Sequence, residues 1–164
     1  MAERGANIGK NVYFCSRFMK EVEIKNIICS DKLNVMVFGS RIQAGFPSPA
    51  QGYFSEDIDL NKELVPSPAS TYCAEVTGDS MKDCGIFDGD LLIVDKSLTP
   101  RSGNIAVCFL DGEFTVKKLR VTERGIDLVP GNKDYPVIHV TEDNSFQIWG
   151  VVSHVIKNTL RNEL

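Results

Sequence analysis

Along this chain the apolar residues fall into short runs separated by turn-forming residues. From residue 71 onward the runs are Tyr72–Val76, Leu91–Val94, Ile105–Leu110, Glu113–Leu119, Ile126–Val129 and Phe146–Ile156. None sustains a 3.6-residue period over the length of a core helix, and short, closely spaced runs of this kind read as strands. The pattern predicts a mostly β domain. Val22–Ile28 and Val35–Phe38 also read as strands, and nothing in residues 1–44 has the layout of a helix-turn-helix.

The punctuation is equally informative. Gly45-Phe46-Pro47-Ser48-Pro49-Ala50-Gln51-Gly52 holds two prolines and two glycines, which continue neither a helix nor a central strand. Pro66-Ser67-Pro68-Ala69-Ser70 is a second break. The expected organisation is therefore an extended arm (1–44), a linker and domain entry (45–70), and a β domain (71–164). Within that domain Asp111-Gly112 separates two strand-like runs, and Asp-Gly favours the two-residue type I′ hairpin loop. That register pairs Leu110 with Glu113 and, counting outward, Ala106 with Lys117. Asp88-Gly89 is a further turn leading into the Leu91–Val94 strand.

Composition narrows the classes. The chain has 164 residues, 43 % hydrophobic, which suits one compact domain with an arm. No apolar run approaches the roughly 18–20 residues of a membrane span, and Met1 to Lys10 lacks the layout of a signal peptide. A cytoplasmic protein is expected. Residues 1–44 carry seven Lys/Arg against four acids (+3), and residues 45–164 carry eleven against eighteen (−7). An acidic body argues against direct binding to DNA phosphates and suits protein partners, with a basic arm lying on it. The five cysteines (Cys15, Cys29, Cys73, Cys84, Cys108) form no CxxC pair, and the two histidines, His139 and His154, lie far apart. No metal or cofactor is expected.

Two stretches carry candidate chemistry. Gly78-Asp79-Ser80-Met81 follows an apolar strand, where a turn can expose a hydroxyl and leave backbone N–H groups nearby. Taken alone, a serine beside Gly-Asp is usually a turn former. Phe114-Thr115-Val116-Lys117-Lys118-Leu119 is a strand with two lysines, which on an exposed edge usually discourage aggregation. Strand alternation sets Phe114, Val116 and Lys118 on one face and Thr115, Lys117 and Leu119 on the other. By apolarity alone Lys118 looks the more buried of the two.

Taken together with their flanks, these stretches resemble the LexA/UmuD family of self-cleaving proteins, its UmuD branch most closely. The resemblance runs from about Ala44 to His154 and rests on four ordered blocks. They are Ala44-Gly45-Phe46-Pro47-Ser48-Pro49-Ala50, Gly78-Asp79-Ser80-Met81, Gly85-Ile86-Phe87-Asp88-Gly89-Asp90-Leu91-Leu92-Ile93-Val94-Asp95, and Asp111-Gly112-Glu113-Phe114-Thr115-Val116-Lys117-Lys118-Leu119. It implies a peptidase domain of short twisted antiparallel strands with Ser80 as nucleophile and Lys117 as general base. It implies cleavage at Ala44-Gly45, and backbone N–H groups of Asp79 and Ser80 as oxyanion donors. The chemistry is coherent: a lysine serves as base only when its amine is neutral, which asks for burial because a water-exposed amine titrates at about 10.4.

The resemblance also implies a role. The chain would be an SOS mutagenesis protein that cuts itself when stimulated by RecA on single-stranded DNA. The product would be a homodimeric accessory factor of a UmuC-like Y-family translesion polymerase. The alternatives share parts of this pattern. A LexA-like or phage repressor would carry the same latent cleavage but needs a DNA-binding domain before the cut. Type I signal peptidases use Ser and Lys but need a membrane anchor. A non-enzymatic β module leaves Ser80, Lys117 and Ala44-Gly45 a coincidence.

Overall fold

The structure, a computed structural model, describes residues 23–26, 34–38 and 55–160, with side chains from residue 58. Ten strands run along it: β1 (Glu23–Asn26), β2 (Asn34–Phe38), β3 (Ser55–Asp59), β4 (Thr71–Glu75), β5 (Leu91–Asp95), β6 (Ile105–Leu110), β7 (Glu113–Thr122), β8 (Gly125–Val129), β9 (Ile138–His139) and β10 (Phe146–Ile156). One helix, α1 (Leu60–Leu64), follows β3, and the Asp59 carboxylate caps it by accepting the Asn61 N–H at 3.1 Å. The expected mostly β architecture is what forms, and every strand pair is antiparallel.

Eight strands make one sheet in the order β1-β4-β5-β10-β6-β7-β8-β9, while β2 and β3 pair separately. The last strand in the chain, β10, lies between β5 and β6. It carries two register shifts, at Ile148/Gly150 and Val152/His154. Such bulges bend a strand and increase its twist, and this 11-residue strand pairs with β6 along Phe146–Val151 and with β5 along Val151–Ile156. Central β5 reads Leu-Leu-Ile-Val-Asp and is buried from Leu92 to Asp95, as a strand covered on both faces must be.

The predicted β6–β7 hairpin has the register read from Asp111-Gly112. Leu110 pairs with Glu113 and Ala106 with Lys117. Asp111 (φ 50°) and Gly112 (φ 95°) both lie in the left-handed region, as a type I′ turn requires. Two elements that the apolar pattern does not announce, β3 and α1, fall within 45–70. β3 reads Ser-Glu-Asp-Ile-Asp, a polar run made a strand by its pairing with β2 from Asn34↔Asp59 to Phe38↔Ser55.

Two apolar clusters flank the hairpin. One joins Ala74, Val76, Met81, Ile86, Leu92, Val94, Val107 and Val116; the other joins Ala106, Cys108, Leu110, Leu119 and Leu128. Full burial of a Val, Leu, Ile or Met side chain contributes roughly 1.5–3 kcal/mol, so these clusters fix β7 firmly between its neighbours. No helix among the described residues is long and apolar enough to cross a membrane. The expected arm–linker boundary, the Gly45–Gly52 break, the Ala44-Gly45 bond, Cys15 and Cys29 lie outside the described residues.

Candidate active site

The turn carrying Ser80 is held from both ends. After β4, Val76 donates its N–H to the Asp90 carbonyl (2.9 Å) and accepts from Gly89 (2.8 Å). Gly78 then adopts φ 95°, a conformation that L side chains rarely adopt, and its N–H reaches the Asp88 carboxylate at 2.6 Å. On the far side of Ser80, Met81 is 2 % exposed and sits in the first apolar cluster. Its carbonyl accepts from Cys84 (2.9 Å) and Ile86 (3.2 Å). A positive-φ glycine lies before Ser80 and a buried anchor after it, and Ser80 itself is half-buried.

Lys117 reaches this serine from the middle of β7. Its Nζ lies 3.1 Å from Ser80 Oγ, 37 residues away in sequence. It donates to Thr115 Oγ1 and to the Val116 carbonyl, each at 2.9 Å. Lys117 is 7 % exposed and Thr115 6 %, whereas the neighbouring Lys118 is exposed. The ambiguity left by alternation is thus resolved as to burial. The side of β7 that holds Thr115 and Leu119 meets Ala106 and Cys108 across the ladder, and the polar Lys117 lies among them.

Ser80 Oγ, Thr115 Oγ1 and the Val116 carbonyl, which lie within hydrogen-bond reach of Nζ, are uncharged groups. Cys108 belongs to the same surroundings: burial pushes its thiol up to about 12, against the opposing pull of Lys117. The sulfur therefore stays a neutral thiol at physiological pH and supplies no negative charge to hold an ammonium. Burial of an amine is in general an influence that disfavours its charged form.

A third segment, which the sequence pattern did not single out, clasps the serine turn. Asn132 is 2 % exposed, and its Nδ2 donates to the Asp79 carbonyl (3.1 Å) and to Asp79 Oδ2 (3.3 Å). Tyr135 donates its hydroxyl to Asp79 Oδ1 at 2.5 Å, and Lys82 lies 3.9 Å from Oδ2. The hydrogen bond to Asp79 holds the Tyr135 phenol above its ordinary value, so it stays a donor. Asp83 N–H reaches the Gly131 carbonyl (2.6 Å) and closes the clasp. Asn132 and Tyr135 stand 53 and 56 residues from Asp79 in a loop without periodicity, so no local signal marks them.

Of the residues singled out from sequence, Ser80, Asp79 and Lys117 come together here, while Ala44 and Gly45 lie outside the described residues. What assembles is a hydroxyl, a buried amine and a constrained turn.

The Peptidase S24-like family matches residues 36–153. Protein MucA of Salmonella typhimurium is 50 % identical over 115 residues, covering 70 % of this chain and 78 % of MucA. Protein SamA of Salmonella typhimurium is 45 % identical over 123 residues, covering 75 % of this chain and 85 % of SamA. The LexA repressor of Delftia acidovorans is 43 % identical over 123 residues, covering 73 % of this chain but 53 % of the repressor.

Proposed function

The chain belongs to the Peptidase S24-like family as a UmuD-like SOS mutagenesis protein, and we propose that Ser80 and Lys117 cut its own backbone between Ala44 and Gly45. The observation that carries this reading is the 3.1 Å approach of a 7 %-exposed lysine amine to the Ser80 hydroxyl. With Thr115 Oγ1 and the Val116 carbonyl accepting two N–H bonds, a neutral amine turns its lone pair toward Ser80.

The steps follow from that arrangement. Lys117 takes the hydroxyl proton as Ser80 Oγ bonds to the Ala44 carbonyl carbon. The N–H groups of Asp79 and Ser80 stabilise the resulting oxyanion. The Ala44–Gly45 C–N bond then breaks, and Lys117 returns the proton to the departing Gly45 amine. Water, deprotonated by the same lysine, attacks the Ser80 ester; the ester C–O bond breaks, the lysine returns its proton to Ser80 Oγ, and Ala44 is left with a free carboxyl group that ionises in water. The absence of a side chain on Gly45 and the small one on Ala44 allow close approach of the scissile carbonyl.

The biological reading places this cut in a switch. The intact chain is the latent form; a RecA filament on single-stranded DNA stimulates the cut, and residues 45–164 then act as a homodimer with a Y-family polymerase. A LexA-type repressor would use the same chemistry. The mutagenesis reading is favoured because the matches extend over 78 % of MucA and 85 % of SamA but only 53 % of LexA. Incubation with RecA, a nucleoside triphosphate analogue and single-stranded DNA, followed by mass spectrometry, tests it. Loss of residues 1–44 from the wild type and not from Ser80→Ala is expected, and an uncut wild-type chain would refute it.

A further inference from the structure

In a trans peptide the carbonyl and the following N–H point in opposite directions. The carbonyl of Asp79 and the N–H of Ser80 belong to one such unit, and no cis peptide occurs among the described residues. Whatever fixes the Asp79 oxygen therefore fixes the direction of the Ser80 N–H. That oxygen accepts from Asn132 Nδ2 at 3.1 Å and from the Lys82 N–H at 3.2 Å.

We propose that Asn132 is a positioning residue for cleavage, aiming the Ser80 N–H at the oxyanion by holding the Asp79 carbonyl behind it. This rests on the reading of Ser80 as nucleophile and deepens it. Three observations support the assignment. Asn132 is 2 % exposed, so its amide is not a surface group with alternative partners in water. Its Oδ1 accepts the Asp134 N–H at 3.0 Å, which sets which end of the amide faces Asp79. Donation to a peptide carbonyl also polarises that amide and strengthens the N–H on its other side.

Tyr135 makes a second hold on the same residue. Its hydroxyl binds Asp79 Oδ1, while Asn132 and Lys82 face Oδ2. The arrangement directs the Asp79 carboxylate toward donors, so its negative charge is partly offset next to a centre where an oxyanion must form. Without those donors the charge would oppose the reaction.

The test is the pH profile of self-cleavage in the full chain carrying Asn132→Ala or Tyr135→Phe, with the fold checked by Trp149 fluorescence and thermal unfolding. Misaligning an oxyanion donor lowers rate on the order of 10- to 100-fold. Asn132→Ala should lower the alkaline plateau by that factor without moving the midpoint, since the contacts of Lys117 are untouched. Tyr135→Phe should lower it in the same direction by a smaller factor. A folded Asn132→Ala chain that cuts at the wild-type rate overturns the proposal. So does a shifted midpoint, which would mean that Asn132 acts through Lys117. Should Asn132→Ala fail to fold, an unchanged plateau in Tyr135→Phe overturns it instead. Ser80→Ala separates the two levels: if that chain still cuts, the nucleophile assignment itself fails, whatever Asn132 does.

Discussion

Ala106 lies directly opposite Lys117 across the β6–β7 ladder, fully buried, and a methyl group is all that it sets against the lysine's four-carbon stem. The site therefore has room for the amine to lie along the sheet toward Ser80. Ala106→Leu should crowd that space. Overpacking of a tight core costs typically about 1–3 kcal/mol, so a lowered thermal midpoint is expected, with cleavage slowed further than the loss of folded protein explains. An Ala106→Leu chain with normal stability and normal cleavage would show that the stem does not depend on this neighbour.

The two lysines of β7 should behave oppositely. Ser80→Ala and Lys117→Ala should each abolish self-cleavage with the fold retained, whereas Lys118→Ala, at an exposed position, should cut nearly as the wild type does. Removing the reactive group of a nucleophile–base pair generally costs several powers of ten in rate, on the order of 10⁴ or more. Gel or mass analysis of the three variants decides it. A dead Lys118→Ala beside an active Lys117→Ala would reverse the assignment.

The product should begin at Gly45. N-terminal sequencing of the large fragment checks this directly. A different first residue would move the scissile bond while leaving the Ser80–Lys117 pair in place.

Self-cleavage without RecA should accelerate as pH rises from neutral and flatten once the amine is free base, at or below about 10.4 for a lysine in water. A rate that stays flat across this range, in a chain shown to remain folded, would falsify the lysine-base mechanism.

Stability has a separate acid limb. Asp127 accepts from His139 (2.7 Å) and from Arg120 (2.8 and 2.9 Å), and these bonds, His139 first, hold its carboxyl below the ordinary aspartate value. The folded chain thus binds fewer protons than the unfolded one in this range. The contribution is present above the unfolded value of about 3.9 and is lost as pH falls through the lower folded value. Thermal midpoints measured from pH 6 to pH 2 should fall less steeply in Asp127→Asn than in the wild type. Parallel curves would show that this cluster contributes nothing to acid sensitivity.

What the sequence made legible followed from local chemistry. Asp111-Gly112 set a hairpin whose period-2 register carried Lys117 opposite Ala106, and the ordered blocks around Ser80 and Lys117 pointed to each other. The choice between Lys117 and Lys118 could not be made from alternation, because both faces of β7 pack against apolar clusters over part of their length. Strand β3 was hidden by its charged composition, since only pairing with β2 makes Ser55–Asp59 extended. The insertion of β10 between β5 and β6 and the grip of Asn132 and Tyr135 on Asp79 are long-range relations. No window of neighbouring residues encodes them.

The pairing of β1 with β4 bears on what cutting the chain accomplishes. Four residues of the arm, Glu23–Asn26, add a strand to the edge of the main sheet, opposite Tyr72–Glu75. Hydrolysis at residue 44 would sever the tether and leave that ladder intact. While tethered, β1 stays covalently joined to the sheet whose edge it pairs with. Once severed, the arm would be held, among the described residues, by the β1–β4 and β2–β3 ladders without a covalent link. Under the proposed cut, the covalent step would only make dissociation possible, and the edge of β4 would be freed on the timescale of an off-rate.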